Sequence, residues 1–273
     1  MRTTASGARV GGAHGAPYDA TAPTGAHDAL HARLPITTRF LITCEHGGKL
    51  VAPRYQPLFA GHEELLASHR GYDPGALVLA RQFARALHAP LVASMTSRLV
   101  VDLNRSVGHP RLHSEQVRQA SAALRQAAFD RYYRGYRGRA ETIIEETLAR
   151  GERLVHISSH SFTPVLGQDV RRADIGLLYD PARLGERMLC ERWRAALQAR
   201  LPALTIRRNY PYTGKSDGFC TYLRRRFPAD RYVGIELEMN QKHVFRGGRY
   251  WQDVRRAVVE ALLEAVHVWH WPS

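Results

Sequence analysis

From Arg39 onward the chain alternates between short apolar runs and longer amphipathic stretches, and this alternation restricts the fold more than any other feature. Apolar runs of about four to eight residues predict buried strands, and apolar residues at three- and four-residue spacing predict helices. The predicted strands are 40–44, 90–95, 99–103, 154–159, 175–179, 204–208 and 232–239. The predicted helices are 63–69, 74–87, 114–150, 185–200, 216–226 and 250–269. Strands that alternate with helices predict an α/β fold, a three-layer sandwich with a mixed, largely parallel central sheet.

Residues 1–36 differ from the rest of the chain in composition. They consist mainly of Gly, Ala, Thr, His and Pro and show almost no aliphatic periodicity. Such a segment cannot bury enough apolar surface to offset the entropy lost on ordering. We therefore expect a flexible N-terminal arm over 1–36 and a single domain over 37–273, within which no Pro- or Gly-rich linker stands out.

The chain carries a formal charge of +14, with 39 Lys and Arg residues against 25 Asp and Glu. A surplus of this size suggests a nucleic-acid or membrane-surface protein. Only three of the 39 basic residues are lysines, however, and such an arginine excess is typical of a GC-rich genome. The Arg-rich stretch 114–150 is also interleaved with Glu141, Glu145 and Glu146. We therefore expect no nucleic-acid partner.

Membrane and secreted classes are not supported by the sequence. No apolar run approaches the ~20 residues that span a bilayer, and the N-terminus lacks the apolar core of a secretory signal. The three cysteines, Cys44, Cys190 and Cys220, are too few and too scattered for a disulfide framework. We expect a cytoplasmic protein.

Polar residues follow the first, third and fourth predicted strands: Glu45 and His46, then Asn104 and Arg105, then His160. In open α/β sheets, functional residues collect just beyond the carboxyl ends of strands. We therefore expect these side chains to lie within reach of one another.

His46, Asp73 and His160 match the ligand requirement of a catalytic divalent metal site. Such a site needs three protein ligands and an open position, and two histidines with one carboxylate are a known combination. Asp73 precedes Pro74 at the start of a predicted helix, so it is equally explained as a helix cap.

A further carboxylate is needed to take a proton from the attacking water. Glu238 is the predicted base, with Glu236 as the alternative, because residues two apart on a strand point to one face. Arg105 offers a bidentate fork for a substrate carboxylate, and Asn104 can donate to a carbonyl oxygen.

Six segments, in this order, resemble signatures of the N-formylglutamate amidohydrolase family. They are CEHGG at 44–48, HRGYDPGA at 69–76, SRLVVDLNR at 97–105, HSF at 160–162, NYPYTG at 209–214 and GIELEMNQ at 234–241. The run at 97–105 is the most specific of the six. The resemblance extends from about Phe40 to the C-terminal helix.

The resemblance implies a zinc-carboxypeptidase-like (phosphorylase/hydrolase-like) fold and a metal-dependent hydrolase. Its activity would be cleavage of the amide bond of an N-formyl amino acid such as N-formylglutamate, with release of formate. The partner implied is a small anionic N-acyl amino acid, and the cofactor is zinc or another divalent metal. The implied ligands are His46, Asp73 and His160, with Glu238 as the general base.

The resemblance also extends to substrate binding. Asn104 and Arg105 resemble the Asn-Arg pair that zinc carboxypeptidases use for the substrate. Arg98 and Tyr212 are further substrate-binding candidates, although Arg98 is also explained by a structural ion pair with Asp102.

The chain departs from the carboxypeptidase pattern at one position. An acidic ligand is expected three residues after the first histidine, where this chain has Lys49. Glu45 is therefore the alternative to Asp73 as third ligand. The EHGG form leaves open a metallo-carboxypeptidase or an amidase acting on a different N-acyl amino acid or peptide.

Overall fold

A six-stranded sheet forms the centre of the protein. The computed structural model describes residues 37–272, and the arm predicted over 1–36 lies outside the described residues. The strands of this sheet are β1 (Thr38–Cys44), β2 (Leu91–Ala93), β3 (Arg153–Phe162), β6 (Ile175–Leu178), β7 (Ile206–Arg208) and β8 (Tyr232–Asn240). Two short strands, β4 (Val165–Leu166) and β5 (Asp169–Val170), form a separate antiparallel hairpin.

Four adjacent strands, β2, β1, β3 and β8, are parallel. β6 runs antiparallel to β8, and β7 is parallel to β6. The prediction of a mixed, largely parallel sheet is therefore confirmed. The chain passes from β1 outward to β2 and then returns to β3 on the other side of β1. This change of direction creates a crevice at the carboxyl ends of β1 and β3, where α/β proteins commonly bind ligands.

Helices cover both faces of the sheet. The α-helices are α1 (Glu63–Ala67), α2 (Ala76–Ala86), α3 (Glu115–Arg118), α4 (Ala122–Ala128), α5 (Gly135–Ala149), α6 (Leu184–Arg200), α7 (Phe219–Arg226), α8 (Gln241–Arg246) and α9 (Gly248–His267). One face packs against α2, α6 and α9, and the other packs against α5 and α7, which confirms the three-layer arrangement. None of the helices between residues 37 and 272 combines the length and apolarity needed to cross a bilayer.

The two faces of the sheet differ in character. Strand side chains alternate between faces, so Val155, Ile157, Ile235 and Leu237 enter the main core beneath α2, α6 and α9. The residues between them face α5 and α7, and near the carboxyl ends this second face carries buried polar groups. One face of the sheet therefore carries apolar side chains that form the main core, and the other carries the buried polar side chains near the carboxyl ends of the strands.

The prediction of a strand at 99–103 is wrong. These residues form turns, in which Val100 donates its N–H to Ser97 and Asp102 donates to Leu112. Leu99 and Val100 are buried in a small separate core, so their apolar character reflects burial without strand pairing. An apolar run alone does not distinguish these cases.

The single long helix predicted at 114–150 is also wrong. It is divided into α3, α4, a π-helical segment (Phe129–Arg134) and α5. The hydroxyls of Ser114 and Ser121 accept from the N–H groups of Val117 and Leu124, and each serine begins a new helix as its N-cap. The remaining predicted elements are present with boundaries shifted by a few residues.

Candidate active site

Buried polar side chains from three neighbouring strands meet at the carboxyl edge of the sheet. Glu45 and His46 follow β1 directly, His160 lies on β3, and Glu238 lies on β8. All four side chains are buried. β3 continues to Phe162, beyond its predicted end, so His160 lies within the strand. The strand register places it directly opposite Glu238.

Asp73 joins the two histidines. Its Oδ2 lies 2.9 Å from His160 Nδ1 and 3.3 Å from His46 Nδ1. The alternative prediction, that Asp73 caps the following helix, is wrong. The N-cap of α2 is Gly75, in a left-handed conformation with φ 82°, and α2 has no side-chain cap. The glycine turn leaves the Asp73 carboxylate directed at the histidines.

The second nitrogen of each histidine contacts another carboxylate. His46 Nε2 lies 2.7 Å from Asp102 Oδ1, and His160 Nε2 lies 3.0 Å from Glu45 Oε2. The His160 contact is an ion-pair distance without a hydrogen bond among the described residues. Burial alone would lower the pKa of His160, but Asp73 and Glu45 outweigh it and raise that pKa well above its ordinary value.

This donor set fits a divalent metal ion. One ligand atom each from His46, Asp73 and His160 lies within 4.8 Å of the others. Two imidazoles and one carboxylate suit zinc, and metal-ligating histidines usually hold their other nitrogen against a carboxylate. Negative charge is also concentrated here, because Asp73, Asp102 and Glu45 all lie in direct contact with the two histidines.

Glu45, the alternative third ligand, is held on the other side of His160. Its Oε1 accepts from Tyr136 Oη at 3.0 Å, and its Oε2 accepts from Ser158 Oγ at 2.7 Å. Glu45 therefore contacts the far nitrogen of His160, whereas Asp73 contacts the Nδ1 atoms of both histidines. The geometry supports Asp73 as the third member of the donor set.

Glu238 and Glu236 have different surroundings. Burial raises the pKa of Glu238 to about 8; His160 opposes this shift, and the carboxylates of Asp73 and Glu236 add to it. Glu238 Oε2 has no hydrogen-bond partner among residues 37–272. Burial also raises the pKa of Glu236, and the charges of His160 and Arg224, with a smaller contribution from the Asn104 amide, oppose that shift. Glu238 thus offers the free acceptor oxygen.

Arg98 forms the predicted ion pair with Asp102. Its Nε and Nη2 donate to Asp102 Oδ2 at 3.2 and 2.7 Å, and its Nη1 lies 3.5 Å from Asp73 Oδ1. The guanidinium thus holds two carboxylates that both contact His46. Its side chain is 24% exposed, so part of it still faces solvent.

Asn104 and Arg105 lie beside Asp102 and the start of α7. Asn104 Oδ1 accepts from the N–H of Phe219 at 2.6 Å, so only its NH₂ group can donate, and that group faces Glu236. Arg105 Nη1 donates to the carbonyl of Asp217 at 3.1 Å. Arg105 Nε is buried without a hydrogen-bond partner in the described part of the chain.

Tyr212 contacts Arg171, a residue that the sequence did not single out. The Tyr212 hydroxyl accepts from Arg171 Nη1 at 3.2 Å, and Arg171 is almost completely buried. No signal in the sequence separates Arg171 from the neighbouring Arg172, which is exposed. The contact between Asp102 and His46 was also missed, although Asp102 belongs to the segment 97–105.

Comparisons with known proteins agree with this architecture. The family model described as N-formylglutamate amidohydrolase matches residues 38–245. A gene product of Agrobacterium tumefaciens of known structure is 28% identical with a TM-score of 0.70, and the match covers 85% of this chain and 92% of that one. An N-formylglutamate amidohydrolase from Ralstonia eutropha JMP134 shares the fold at 19% identity and a TM-score of 0.62, over 86% of this chain and 96% of that one. No curated protein matches the sequence. Since the family model spans most of the chain, the protein belongs to the N-formylglutamate amidohydrolase family.

Proposed function

We propose that this protein is a metal-dependent hydrolase that cleaves the amide bond of an N-formyl amino acid such as N-formylglutamate, releasing formate and the amino acid. Membership of the amidohydrolase family supports a hydrolase. The observation that carries the metal dependence is the convergence of His46, Asp73 and His160 around one position.

His46 Nδ1, His160 Nδ1 and Asp73 Oδ2 would hold the metal, for which we propose zinc. A divalent ion bound there would polarise the acyl carbonyl and lower the pKa of water. Asp102 and Glu45 orient the two imidazoles through their Nε2 atoms. Arg98 in turn fixes Asp102 and approaches Asp73.

Glu238 is the proposed general base. Its free Oε2 and its position opposite His160 support this role. The positive charge of a metal ion held by His46, Asp73 and His160 would favour the ionised form of Glu238 and lower its pKa. Glu238 would then accept a proton at neutral pH. It takes this proton from the attacking water and then delivers it to the leaving amine nitrogen.

Asn104 and Arg105 are the proposed substrate-binding pair. The Asn104 NH₂ group would donate to the oxygen on which negative charge develops. Arg105 keeps a free Nε and would bind a substrate carboxylate through its guanidinium. Arg98 contacts Asp73 and Tyr212 lies near Arg98, so both are further proposed substrate-binding residues.

Metal analysis combined with formate release tests the proposal. The purified protein should contain a stoichiometric divalent metal and release formate from N-formyl-L-glutamate, and chelation should abolish this activity. A His46→Ala/His160→Ala variant should lose both metal and activity, whereas the control His62→Ala/His267→Ala, at two exposed histidines, should retain both. Full metal content and activity in the first variant would contradict the metal site. Cleavage of N-acetyl substrates or peptides without any formate release would contradict the N-formyl substrate.

A further inference from the structure

Arg137 on α5 is a buried cation that has no carboxylate partner in the described part of the chain. The residue is 5% exposed. Its Nη1 donates to the hydroxyl of Tyr133, whereas its Nε and Nη2 have no hydrogen-bond partner among residues 37–272. Burying a charge without an ion pair is costly, so such a residue needs another favourable interaction.

Three aromatic rings surround the Arg137 guanidinium. Its Cζ lies 4.6 Å from the ring centroid of Phe219, 4.7 Å from that of Tyr133 and 4.8 Å from that of Tyr222. A guanidinium over the face of an aromatic ring is attracted by the ring electrons, most strongly where water is excluded. The rings belong to the π-helical segment and to α7, so Arg137 joins both of these elements to α5.

Two of these aromatic residues hold the proposed substrate-binding pair. The Tyr133 hydroxyl donates to the carbonyl of Arg105 at 2.7 Å, and the N–H of Phe219 donates to Asn104 Oδ1 at 2.6 Å. Asn104 and Arg105 lie in a turn, outside any strand or helix, so their positions depend on contacts of this kind. Arg137 therefore contacts both of the residues that fix the pair.

The Tyr133 hydroxyl links Arg137 to Arg105. It accepts from the guanidinium and donates to the carbonyl, and a hydrogen bond from a cation strengthens the bond that the hydroxyl itself donates. Burial raises the pKa of Tyr133 to about 12; the charge of Arg137 opposes this shift, and that of Asp217 adds to it. The phenol is therefore protonated at neutral pH and can act as the donor to the carbonyl.

We infer that Arg137 is a positioning residue, which fixes Asn104 and Arg105 for substrate binding. It acts on Arg105 through Tyr133, and Arg105 is the proposed partner of a substrate carboxylate. It acts on Asn104 through Phe219, and Asn104 is the proposed donor to the oxygen that gains negative charge. Loss of Arg137 should affect both KM and kcat, whereas loss of the Tyr133 hydroxyl should mainly raise KM. This inference rests on the proposed function, since it concerns residues that hold the same substrate.

The steady-state release of formate from N-formyl-L-glutamate tests the inference. Arg137→Met keeps an unbranched side chain without the charge and should lower kcat/KM by about 10- to 100-fold, through both a higher KM and a lower kcat. Tyr133→Phe should raise KM by about 2- to 10-fold, the effect of one lost hydrogen bond. Arg137→Lys keeps a charge near the rings and should lose less activity than Arg137→Met. Arg139→Met, at an exposed arginine of α5, should leave both constants unchanged.

A double-mutant cycle separates positioning from general stability. If Tyr133 acts through Arg105, Tyr133→Phe should have little further effect on KM in an Arg105→Gln background. KM does not depend on the amount of folded enzyme, so a variant that is only destabilised keeps the wild-type KM. Unchanged constants in Arg137→Met, or fully multiplicative effects in the cycle, would overturn the inference and leave the proposed deformylation intact. If Arg137→Met does not fold, the cycle with Tyr133→Phe, which removes a single oxygen atom, decides.

Hydrogen exchange adds a readout that needs no substrate. The N–H groups of Asn104 and Arg105 donate to Asp102, so their exchange reports how firmly this turn is held. Peptides covering 103–106 should exchange about 10-fold faster in Arg137→Met, as expected where one stabilising contact is lost, while peptides from β3 exchange at the wild-type rate. Wild-type exchange at 103–106 would overturn the inference. Faster exchange there, in an enzyme whose metal-loaded wild type releases no formate, would overturn the proposed function and leave Arg137 as the residue that positions this turn.

Discussion

His160 on β3 stands directly opposite Glu238 on the parallel neighbouring strand β8. The candidate metal ligand and the candidate base are therefore positioned by two adjacent strands of the buried sheet. Such strands hold side chains more rigidly than surface loops do, and catalysis requires this precision. Asp73 comes from the loop before α2 and is fixed by its contacts with both histidines.

The two glutamates of β8 should differ in their effect on catalysis. Glu238→Gln should lower kcat by about 10²- to 10⁴-fold while the protein retains its metal, because the proton acceptor is lost. Glu236→Gln should have a smaller effect, since Glu236 lies opposite Ser158, one step further from the ends of the strands. Steady-state kinetics with metal analysis of both variants checks this prediction. A larger loss in Glu236→Gln would assign the base to Glu236.

The carboxylates of Asp102 and Glu45, which contact the Nε2 atoms of His46 and His160, should affect metal affinity. Glu45→Gln and Asp102→Asn each remove a charged acceptor from the Nε2 of one histidine, so each should weaken metal binding by about 10- to 100-fold. Competition with a chromogenic chelator measures this change. Glu191→Gln, at an exposed ion pair with Arg208, serves as the matched control. Wild-type affinity in both test variants would show that these contacts do not support a metal.

Asn104 should contribute to both stability and activity. Asn104→Ala removes the oxygen that accepts from the first N–H of α7, so the free energy of unfolding should fall by about 1 kcal/mol. Asn104→Asp keeps an acceptor oxygen but loses the NH₂ donor, so it should remain more stable than Asn104→Ala while activity falls in both. Urea denaturation and kcat/KM measure the two effects. Wild-type activity in Asn104→Asp would exclude the donor role.

His156 should make the protein sensitive to mild acid. The side chain is fully buried and contacts the hydroxyls of Thr43 and Tyr232. Burial lowers its pKa to about 4. The charges of Arg224 and His160 add to this shift, and the charge of Glu45 opposes it. Between pH 6.5 and 4 the unfolded chain binds this proton and the folded chain does not. The free energy of unfolding therefore falls as the pH falls through this range, by up to about 3 kcal/mol from this residue.

His156→Gln should remove that contribution. Urea denaturation at several pH values, in the presence of chelator so that metal release plays no part, compares the variant with the wild type. The difference in the free energy of unfolding between the two proteins should change with pH between 6.5 and 4. A constant difference would contradict the prediction.

Two glycines should respond to alanine in opposite ways. A Cβ at Gly176 on β6 would collide with the carbonyl oxygen of Tyr210, so Gly176→Ala should lower the free energy of unfolding by about 1–3 kcal/mol. Gly135 has helical backbone angles and no heavy atom within 4 Å of an added Cβ, so Gly135→Ala should raise stability by about 0.5–1 kcal/mol. Thermal denaturation of both variants checks the two signs, and destabilisation by Gly135→Ala would contradict the second.

Several parts of the structure could be predicted from local patterns. The runs at 40–44, 154–159 and 232–239 are apolar enough to be buried strands, and all three are present. Because the carboxyl ends of parallel strands meet at one edge of a sheet, residues that follow or end such strands are brought together. His46, His160 and Glu238 could therefore be assigned to one site from their positions in the chain.

Other features depended on contacts between residues far apart in the chain. Leu99 and Val100 are as buried as strand residues, yet they pack in a loop. Asp73 satisfied the pattern of a helix cap, and only the packing of α2 against β1 and β3 directs its carboxylate at His46 and His160. Arg171 has no distinguishing neighbour in the sequence and gains its surroundings from Phe162, Tyr212 and Asn240.

The sequence by itself determined the class of fold, the polar edge of the sheet and most of the residues gathered there, because hydrophobic periodicity reports which side chains are buried and on which face. Only the tertiary structure decided which polar atoms face each other. It brought Asp73 rather than Glu45 to the Nδ1 atoms of both histidines, and it placed a buried arginine beyond the ends of β3 and β8. The physical reason is that burial is encoded locally along the chain, whereas the partner and direction of a polar side chain depend on packing between distant segments.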